Sequence, residues 1–130
     1  MSDLRDRLQT ATDGLLWPSE TDAPLEVFEW EREDAIAPET LLQTLEFPAE
    51  TPIECLSIEH FFKKVTRDRD WHDDTEKARV RRFKALARLL TETLDNPQGF
   101  RVGKIDIDAF AIGKTPAGNW AGIRTHLVET

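Results

Sequence analysis

Residues 105–128, which read IDIDAFAIGKTPAGNWAGIRTHLV, decide the fold of this chain. Over residues 100–114 the apolar residues follow the period of a strand rather than of a helix, which predicts one or two strands with a bend at Gly103. Residues 115–119 are dense in turn-forming types, and Trp120–Val128 returns to a strand-like composition. Residues 105–128 therefore predict a β-hairpin.

Two helices and a strand are predicted in the first half of the chain. Residues 2–12 place their leucines on one stripe, as a helix does, and the Asp13-Gly14 pair is suited to end it. Residues 25–31 (LEVFEWE) are rich in Val, Phe and Trp and predict a strand. Pro38 suits a first helical turn, and three leucines follow it at helical spacing.

A short strand and a short helix are predicted next. Residues 53–56 form the strand, and Ser57 is a suitable N-cap for a helix that runs through Val65. That helix is expected to bury Phe61 or Phe62.

The longest predicted helix follows a charged loop over residues 66–74. Asp73, with Glu76 three residues later, resembles a capping box. The Asn96-Pro97 pair and Gly99 are expected to end the helix. Its apolar face carries Val80, Phe83, Leu86, Leu90 and Leu94. Helices followed by an antiparallel hairpin predict an α+β layered domain.

Length and composition indicate one soluble globular domain over residues 1–130. The chain is 39% hydrophobic and 32% charged, and its length is typical of a single domain. No apolar run approaches the roughly 20 residues of a membrane span, and the first residues lack the apolar stretch of a signal peptide. A single cysteine, Cys55, excludes an internal disulfide and a cysteine-rich zinc site. We therefore expect a cytoplasmic protein.

Charge divides the chain into an acidic and a basic part. The net charge is −8, but residues 1–62 carry 15 acids against 3 bases, whereas residues 63–130 carry 10 acids against 14 bases. A net negative charge disfavours nucleic acid as the main partner, because phosphate binding needs a basic surface. It favours either a basic partner or simple solubility.

Two motif-like stretches lack the residues that their chemistry needs. Residues 112–115 (IGKT) would need a glycine at Asp108 and a following helix to be a phosphate-binding loop. Residues 68–79 have Asp73 where a calcium loop needs glycine, and Arg79 where it needs a bidentate acid. We interpret the second stretch as a solvated loop and helix cap.

The remaining candidates for chemistry favour structural roles. His60, His72 and His126 show no metal-ligand spacing, and Cys55 lies beside a glutamate, which disfavours its thiolate. The bases of the long helix alternate around its apolar face as a solvent face does; they are Lys77, Arg79, Arg81, Arg82, Lys84 and Arg88.

Residues 13–34 are the most acidic stretch, and they also contain large aromatic residues. Trp17, Phe28 and Trp30 lie among eight acids and one base, Arg32. Acids mixed with aromatics suit a protein interface, where aromatics anchor and charges steer a basic partner. The same aromatics on a strand equally suit the core, and both interpretations stay open here.

Several short stretches together resemble the nuclease A inhibitor family, the NuiA-like proteins. They are residues 13–16 (DGLL), 19–20 (SE), 24–28 (PLEVF), Trp30, 61–62 (FF), 70–71 (DW), 115–123 (TPAGNWAGI) and 128–130 (VET). The resemblance covers nearly the whole chain and is most specific at the C-terminus. Residues 31–52 do not align with the family pattern, and Trp17-Pro18 departs from it.

The resemblance implies an α/β/α sandwich with a central, mainly antiparallel sheet. It also implies a non-catalytic inhibitor, without a cofactor, of sugar-nonspecific nucleases of the ββα-metal type. Such a nuclease uses one Mg²⁺ in a basic groove, which the inhibitor blocks as a monomer that forms a heterodimer with its target. The family's extreme C-terminus reaches that metal ion.

The resemblance also implies the site residues. Thr130 carries a carboxylate and a hydroxyl, the hard oxygen ligands that Mg²⁺ prefers, and Glu129 adds negative charge. Glu20 holds the position of a family acid that engages the active site, where it would pair with a basic side chain. Asp22 and Trp17, an acid and an aromatic of the acidic stretch, complete the expected partner-binding set without support from the resemblance.

Two other classes of function remain open from sequence. The same fold could serve as a regulatory or adaptor domain, which the absence of a ββα-metal nuclease in the source organism would favour. A small-ligand binder or enzyme would need a concave polar pocket.

Overall fold

Helices and strands alternate irregularly along the part of the chain that the structure describes. The computed structural model describes residues 3–18, 22–67 and 73–128. Within these residues the helices are α1 (Asp3–Thr12), α2 (Pro38–Thr44), α3 (Ile58–Phe61) and α4 (Asp74–Thr93). The strands are β1 (Leu16–Trp17), β2 (Ala23–Pro24), β3 (Glu26–Trp30), β4 (Ile53–Ser57), β5 (Asp95–Val102), β6 (Asp106–Lys114) and β7 (Trp120–Val128).

The hairpin predicted from residues 105–128 is confirmed as β6 and β7. The two strands are antiparallel, and their register begins with Asp106 opposite Val128. The backbone N–H of Thr115 donates to the carbonyl of Asn119 at 2.8 Å, which closes the connecting turn. Turn-forming residues between two β-rich runs were sufficient to locate this element.

The hairpin lies within a five-stranded antiparallel sheet with strand order β3-β7-β6-β5-β4. β3 pairs with β7 from Glu26 opposite Arg124 to Trp30 opposite Trp120. β3 and β6 therefore start at the end of the sheet where β7 finishes. We call this the Val128 end, and we call the opposite end the Trp120 end.

Helices cover both faces of the sheet. Side chains alternate between faces along each strand, so Ala111 and Ile123 pack with residues of α1, α3 and α4 on one face. Phe110 and Trp120 pack with Leu41 and its neighbours in α2 on the other face. This arrangement confirms the α+β class and the α/β/α sandwich.

The long helix α4 forms as its sequence predicts. The Asp73 carboxylate caps it by accepting a hydrogen bond of 2.8 Å from the backbone N–H of Glu76. Its predicted apolar face is buried throughout, at Val80, Phe83, Leu86, Leu90 and Leu94. The helices predicted over residues 2–12 and from Pro38 form as α1 and α2, and Pro38 occupies the first turn of α2.

The prediction that the Asn96-Pro97 pair and Gly99 end the long helix is wrong, because these residues already belong to β5. The helix ends at Thr93, and Leu94 has an extended backbone with φ −106° and ψ 146°. Gly99 is needed for close packing, since a Cβ atom there would lie 2.5 Å from Cδ2 of Phe61. Glycine is therefore present at position 99 because it lets α3 pack closely against β5, and not because it ends a helix.

Two smaller elements also differ from expectation. Helix α3 ends at Phe61 rather than Val65, and both Phe61 and Phe62 are buried instead of one of them. Ser57 caps α3 as predicted, accepting a backbone N–H bond of 3.1 Å. Ile105, expected on a strand, lies in the β5–β6 turn and is 56% exposed.

The predicted charged loop over residues 66–74 falls largely on residues 68–72, outside the described residues. Among the helices of the described ranges, none has the length and apolar character that crossing a membrane requires.

Candidate functional site

A two-residue ladder lies on either side of the early acidic loop. β1 and β2 are antiparallel, with Leu16 opposite Pro24 and Trp17 opposite Ala23. The strands flank residues 18–22, of which Pro18 and Asp22 are described and exposed. Sequence reasoning missed these strands, because two residues carry no readable period.

Trp17 anchors this hairpin in the core. Its side chain is 6% exposed, and its ring centroid lies 5.1 Å from Phe61, 5.6 Å from Phe62 and 5.4 Å from Phe83. The expectation that Trp17 presents its ring to a partner does not fit this burial. Its position assigns it to fixing the start of the loop at residues 18–22.

Arg82 of α4 holds the segment that leads into the hairpin. Its Nη2 atom donates to the carbonyl of Ala11 at 3.1 Å and to that of Asp13 at 2.6 Å. These carbonyls lie at the C-terminal end of α1, where unpaired carbonyls carry partial negative charge. Gly14 follows with φ +70°, a conformation that favours glycine. The sequence contained no signal for the Arg82 contact, because the bond spans 69 residues.

The C-terminal strand is tied to the same hairpin. The hydroxyl of Thr125, which is 7% exposed, donates to the carbonyl of Pro24 at 3.0 Å. β7 continues from there to Val128, the last described residue. β2, which follows the early acidic loop, and the C-terminal strand are therefore joined at the Val128 end of the sheet.

Carboxylates gather at this end. Glu26 lies 3.8 Å from the Nε atom of Arg124. His126 lies between two aspartates, with Nδ1 3.3 Å from Asp108 and Nε2 3.6 Å from Asp106. Exposed pairs of this kind contribute little stability.

A groove separates the β1–β2 hairpin from α4. Its volume is about 330 Å³, and it is lined by Gly14, Leu15, Leu16, Asp22, Thr75, Ala78, Arg79 and Arg82. Leu16 at its edge is 43% exposed. An apolar surface thus lies directly beside the acidic loop.

At the Trp120 end, polar contacts fix the segment after β3. Trp120 Nε1 donates to the Asp34 carbonyl at 2.8 Å, and Lys114 Nζ donates to the Glu33 carbonyl at 2.7 Å. The Arg32 guanidinium lies 5.3 Å from the Trp120 ring centroid. A backbone hydrogen bond, then Arg32 and Lys114, hold the pKa of the Asp34 carboxyl below its usual value. Lys114 therefore braces a loop, and the chain around it runs strand–turn–strand, which is unlike a phosphate-binding loop.

Phe28 of the acidic stretch belongs to the core, and Trp30 packs partly buried against it. Phe28 is 6% exposed and stacks on Trp30 with a centroid distance of 4.3 Å. Of the two interpretations left open from sequence, the structure therefore favours the core for Phe28.

The cavity at the Trp120 end is open and charged. It encloses about 550 Å³ and is lined by Glu31, Arg32, Glu33, Asp34 and Asn119. It lacks the mostly apolar lining that is typical of small-ligand sites.

The structure brings together no metal-binding group of three or more His, Cys, Asp or Glu side chains among residues 3–18, 22–67 and 73–128. His60 is exposed on α3. Cys55 is exposed on β4, where its thiol donates to Gln98 Oε1 at 3.5 Å. His72 and most of the stretch tested as a calcium loop fall outside the described residues.

Basic residues line a shallow groove between α1 and α4. Its volume is about 500 Å³, and its charged lining comprises Arg7, Arg81, Lys84, Arg88 and Glu92. Arg88 pairs with Glu92 at 2.8 Å. The three α4 bases of this groove, Arg81, Lys84 and Arg88, are exposed as a solvent face requires.

Three of the expected site residues, Glu20, Glu129 and Thr130, fall outside the described residues. Pro18 and Asp22 beside the first segment and Val128 before the second are described. The Thr125–Pro24 bond joins residues close to both segments, although they are 101 positions apart in the sequence.

Comparison with known proteins agrees with this geometry. A family model described as nuclease A inhibitor-like protein matches residues 2–130, essentially the whole chain. A search of curated proteins returned no match. The chain belongs to the family of nuclease A inhibitor-like proteins, whose general role is to bind and inhibit a nuclease.

Proposed function

We propose that this protein inhibits a sugar-nonspecific, Mg²⁺-dependent nuclease of the ββα-metal type. It blocks the active site with two elements, the C-terminus and the acidic loop at residues 18–22. The observation that supports this proposal is the hydrogen bond from Thr125 to Pro24, which joins the strand that leads to the C-terminus to the strand that follows the acidic loop. Two anionic segments whose neighbouring strands are joined can enter one groove together at a lower entropic cost than two independent ones.

The chemistry of the two elements suits a site that binds phosphates. Thr130 supplies hard oxygen atoms to the metal ion of the nuclease, while Glu129 adds charge beside it. Glu20 pairs with a basic side chain of the nuclease, and Asp22 extends the anionic surface. Trp17 acts through the core, where its ring fixes the start of the loop.

Electrostatic attraction supports the encounter. The acid-rich first half of the chain attracts a basic groove over a distance comparable to the Debye length. Association should therefore be faster at low ionic strength than at high ionic strength.

We further propose that residues 1–130 act as one non-catalytic domain without a cofactor. The protein would be a cytoplasmic monomer that forms a heterodimer with its target. In that compartment it would protect the cell from a nuclease before export.

The test is a DNA-digestion assay with a purified ββα-metal nuclease and Mg²⁺, into which the inhibitor is titrated. We expect stoichiometric inhibition by the native chain and a loss of affinity of at least about a hundredfold when Thr130 is deleted, because a metal ligand is removed. Glu31→Gln, which changes an exposed acid at the Trp120 end, is the matched control and should leave affinity unchanged.

Two outcomes would contradict the proposal. An equal loss of affinity from the Thr130 deletion and from Glu31→Gln would refute the role of the C-terminus at the metal. No inhibition by the native chain would refute the inhibitor function and leave the adaptor role.

A further inference from the structure

We propose that Leu16 and Ile105 are apolar anchors of the nuclease interface, one on each side of the C-terminal strand. The partner they fit is a nuclease surface with a basic centre and apolar side chains beside it. Because this surface belongs to the proposed inhibitor complex, it stands only if the proposed function does.

The first observation is exposure. Leu16 is 43% exposed and Ile105 is 56% exposed, and they are the large hydrophobic side chains that the described ranges leave open to solvent. Exposed apolar side chains that are scattered singly are common and require no function. The position of these two relative to each other is what makes them informative.

Both residues lie at the Val128 end of the sheet. Leu16 is opposite Pro24, whose carbonyl accepts the Thr125 hydroxyl. Ile105 directly precedes Asp106, which pairs with Val128. β7 has β3 on one side and β6 on the other, so Leu16 lies beside the β3 edge and Ile105 beside the β6 edge of the same strand end.

The surroundings of Leu16 are shaped to receive a side chain. The groove of about 330 Å³ beside it is lined by Thr75, Ala78, Arg79 and Arg82 of α4 and by the exposed acid Asp22. A partner's apolar side chain entering this groove would contact Leu16 while a neighbouring basic group reaches Asp22. The groove is thus continuous with the acidic loop.

Charged and apolar residues at this surface should affect different steps of binding. Charged side chains of both signs lie beside the two apolar ones: Asp22, Arg79 and Arg82 line the groove at Leu16, and Ile105 stands between Lys104 and Asp106 in the chain. Charges at an interface act mainly on the association rate. Apolar contacts at an interface act mainly on the dissociation rate and depend little on salt. The two kinds of residue can therefore be separated kinetically.

The experiment compares Leu16→Ser and Ile105→Ser with Ala117→Ser, an equivalent apolar-to-serine change on the exposed turn at the Trp120 end. Far-UV circular dichroism and urea unfolding check that each variant is folded. Association and dissociation rates are measured on an immobilised ββα-metal nuclease with Mg²⁺, at low and at high salt. Glu20→Gln serves as the charge variant.

We expect each of the two serine variants to dissociate about tenfold faster than the native chain, with an unchanged association rate and an unchanged salt dependence. Ala117→Ser should match the native chain. Glu20→Gln should instead reduce the dependence of the association rate on salt.

Three results would overturn the assignment. If the native chain binds but both serine variants dissociate at the native rate, the anchors are refuted while the inhibitor function stands. If the native chain does not bind the nuclease, the function and the anchors fail together. If the free native chain sediments as a dimer and the serine variants as monomers, the apolar surface is covered by a second copy instead.

Discussion

The role of Trp17 can be decided by replacing it with alanine. The side chain is 6% exposed and contacts three phenylalanine rings, so its removal leaves a cavity at the centre of the core. Substitutions of this type cost about 3–5 kcal/mol. That is a large part of the roughly 5–15 kcal/mol that stabilise a typical domain.

Trp17→Phe should be far milder. It removes roughly 40 Å³, and at about 24 cal/mol per Å³ of cavity the cost is about 1 kcal/mol. Because the ring does not reach the surface, the folded Trp17→Phe protein should bind the nuclease within about threefold of the native affinity, a difference below about 1 kcal/mol.

The assay is urea unfolding followed by far-UV circular dichroism, which does not depend on the indole that is removed. Nuclease affinity is then measured where each variant is folded. The reasoning would be refuted if Trp17→Ala lowered the free energy of unfolding by less than about 1 kcal/mol and Trp17→Phe greatly weakened nuclease binding. That result would place the ring at the interface rather than in the core.

Three further predictions concern the frame around the site. Arg82→Met should lower the free energy of unfolding by about 1–2 kcal/mol, because two carbonyls at the end of α1 lose their donor, and urea unfolding measures this; native stability would show that water replaces the guanidinium fully. Gly99→Ala should lower the free energy of unfolding by about 1–3 kcal/mol, because the added methyl group overlaps the Phe61 ring. Thermal unfolding should show a lower Tm, and an unchanged Tm would contradict the close packing. Asp34 has a lowered pKa in the folded state, so it stabilises the protein above the ordinary aspartate pKa of about 3.9 and this contribution disappears as the pH falls through the lowered value. Asp34→Asn should therefore be less stable than the native chain at neutral pH. The difference in urea midpoint between the two proteins should vanish in acid, where Asp34 is protonated and its ion pair to Arg32 is lost. A difference in midpoint that stays constant with pH would contradict the role of the Asp34 charge.

Local sequence patterns predicted elements whose stabilising contacts are near in sequence. The cap of α4 joins Asp73 to Glu76, and the β6–β7 turn joins Thr115 to Asn119; both were readable from spacing. The end of α4 could not be predicted from spacing, because Gly99 is required by close packing against Phe61, which lies on another element.

The candidate site was predicted as two separate segments. Acids and a C-terminal oxygen ligand were assigned by resemblance at Glu20 and Thr130. That residues near these segments, Pro24 and Thr125, lie together depends on the register of β3 with β7 and on the hydrogen bond between them. No pattern in the chain indicates either contact, because side chains that meet across a sheet leave no period in the sequence.

The sequence by itself determined the α+β class, the long capped helix, the C-terminal hairpin and the acidic character of the first half. Each of these follows from residue type and short-range spacing, where the physics is local. Only the tertiary structure decided that Trp17 is buried, that Arg82 holds the end of α1 and that Leu16 and Ile105 are exposed on either side of β7. Burial depends on which distant elements a side chain meets, and that is settled only when the chain is packed.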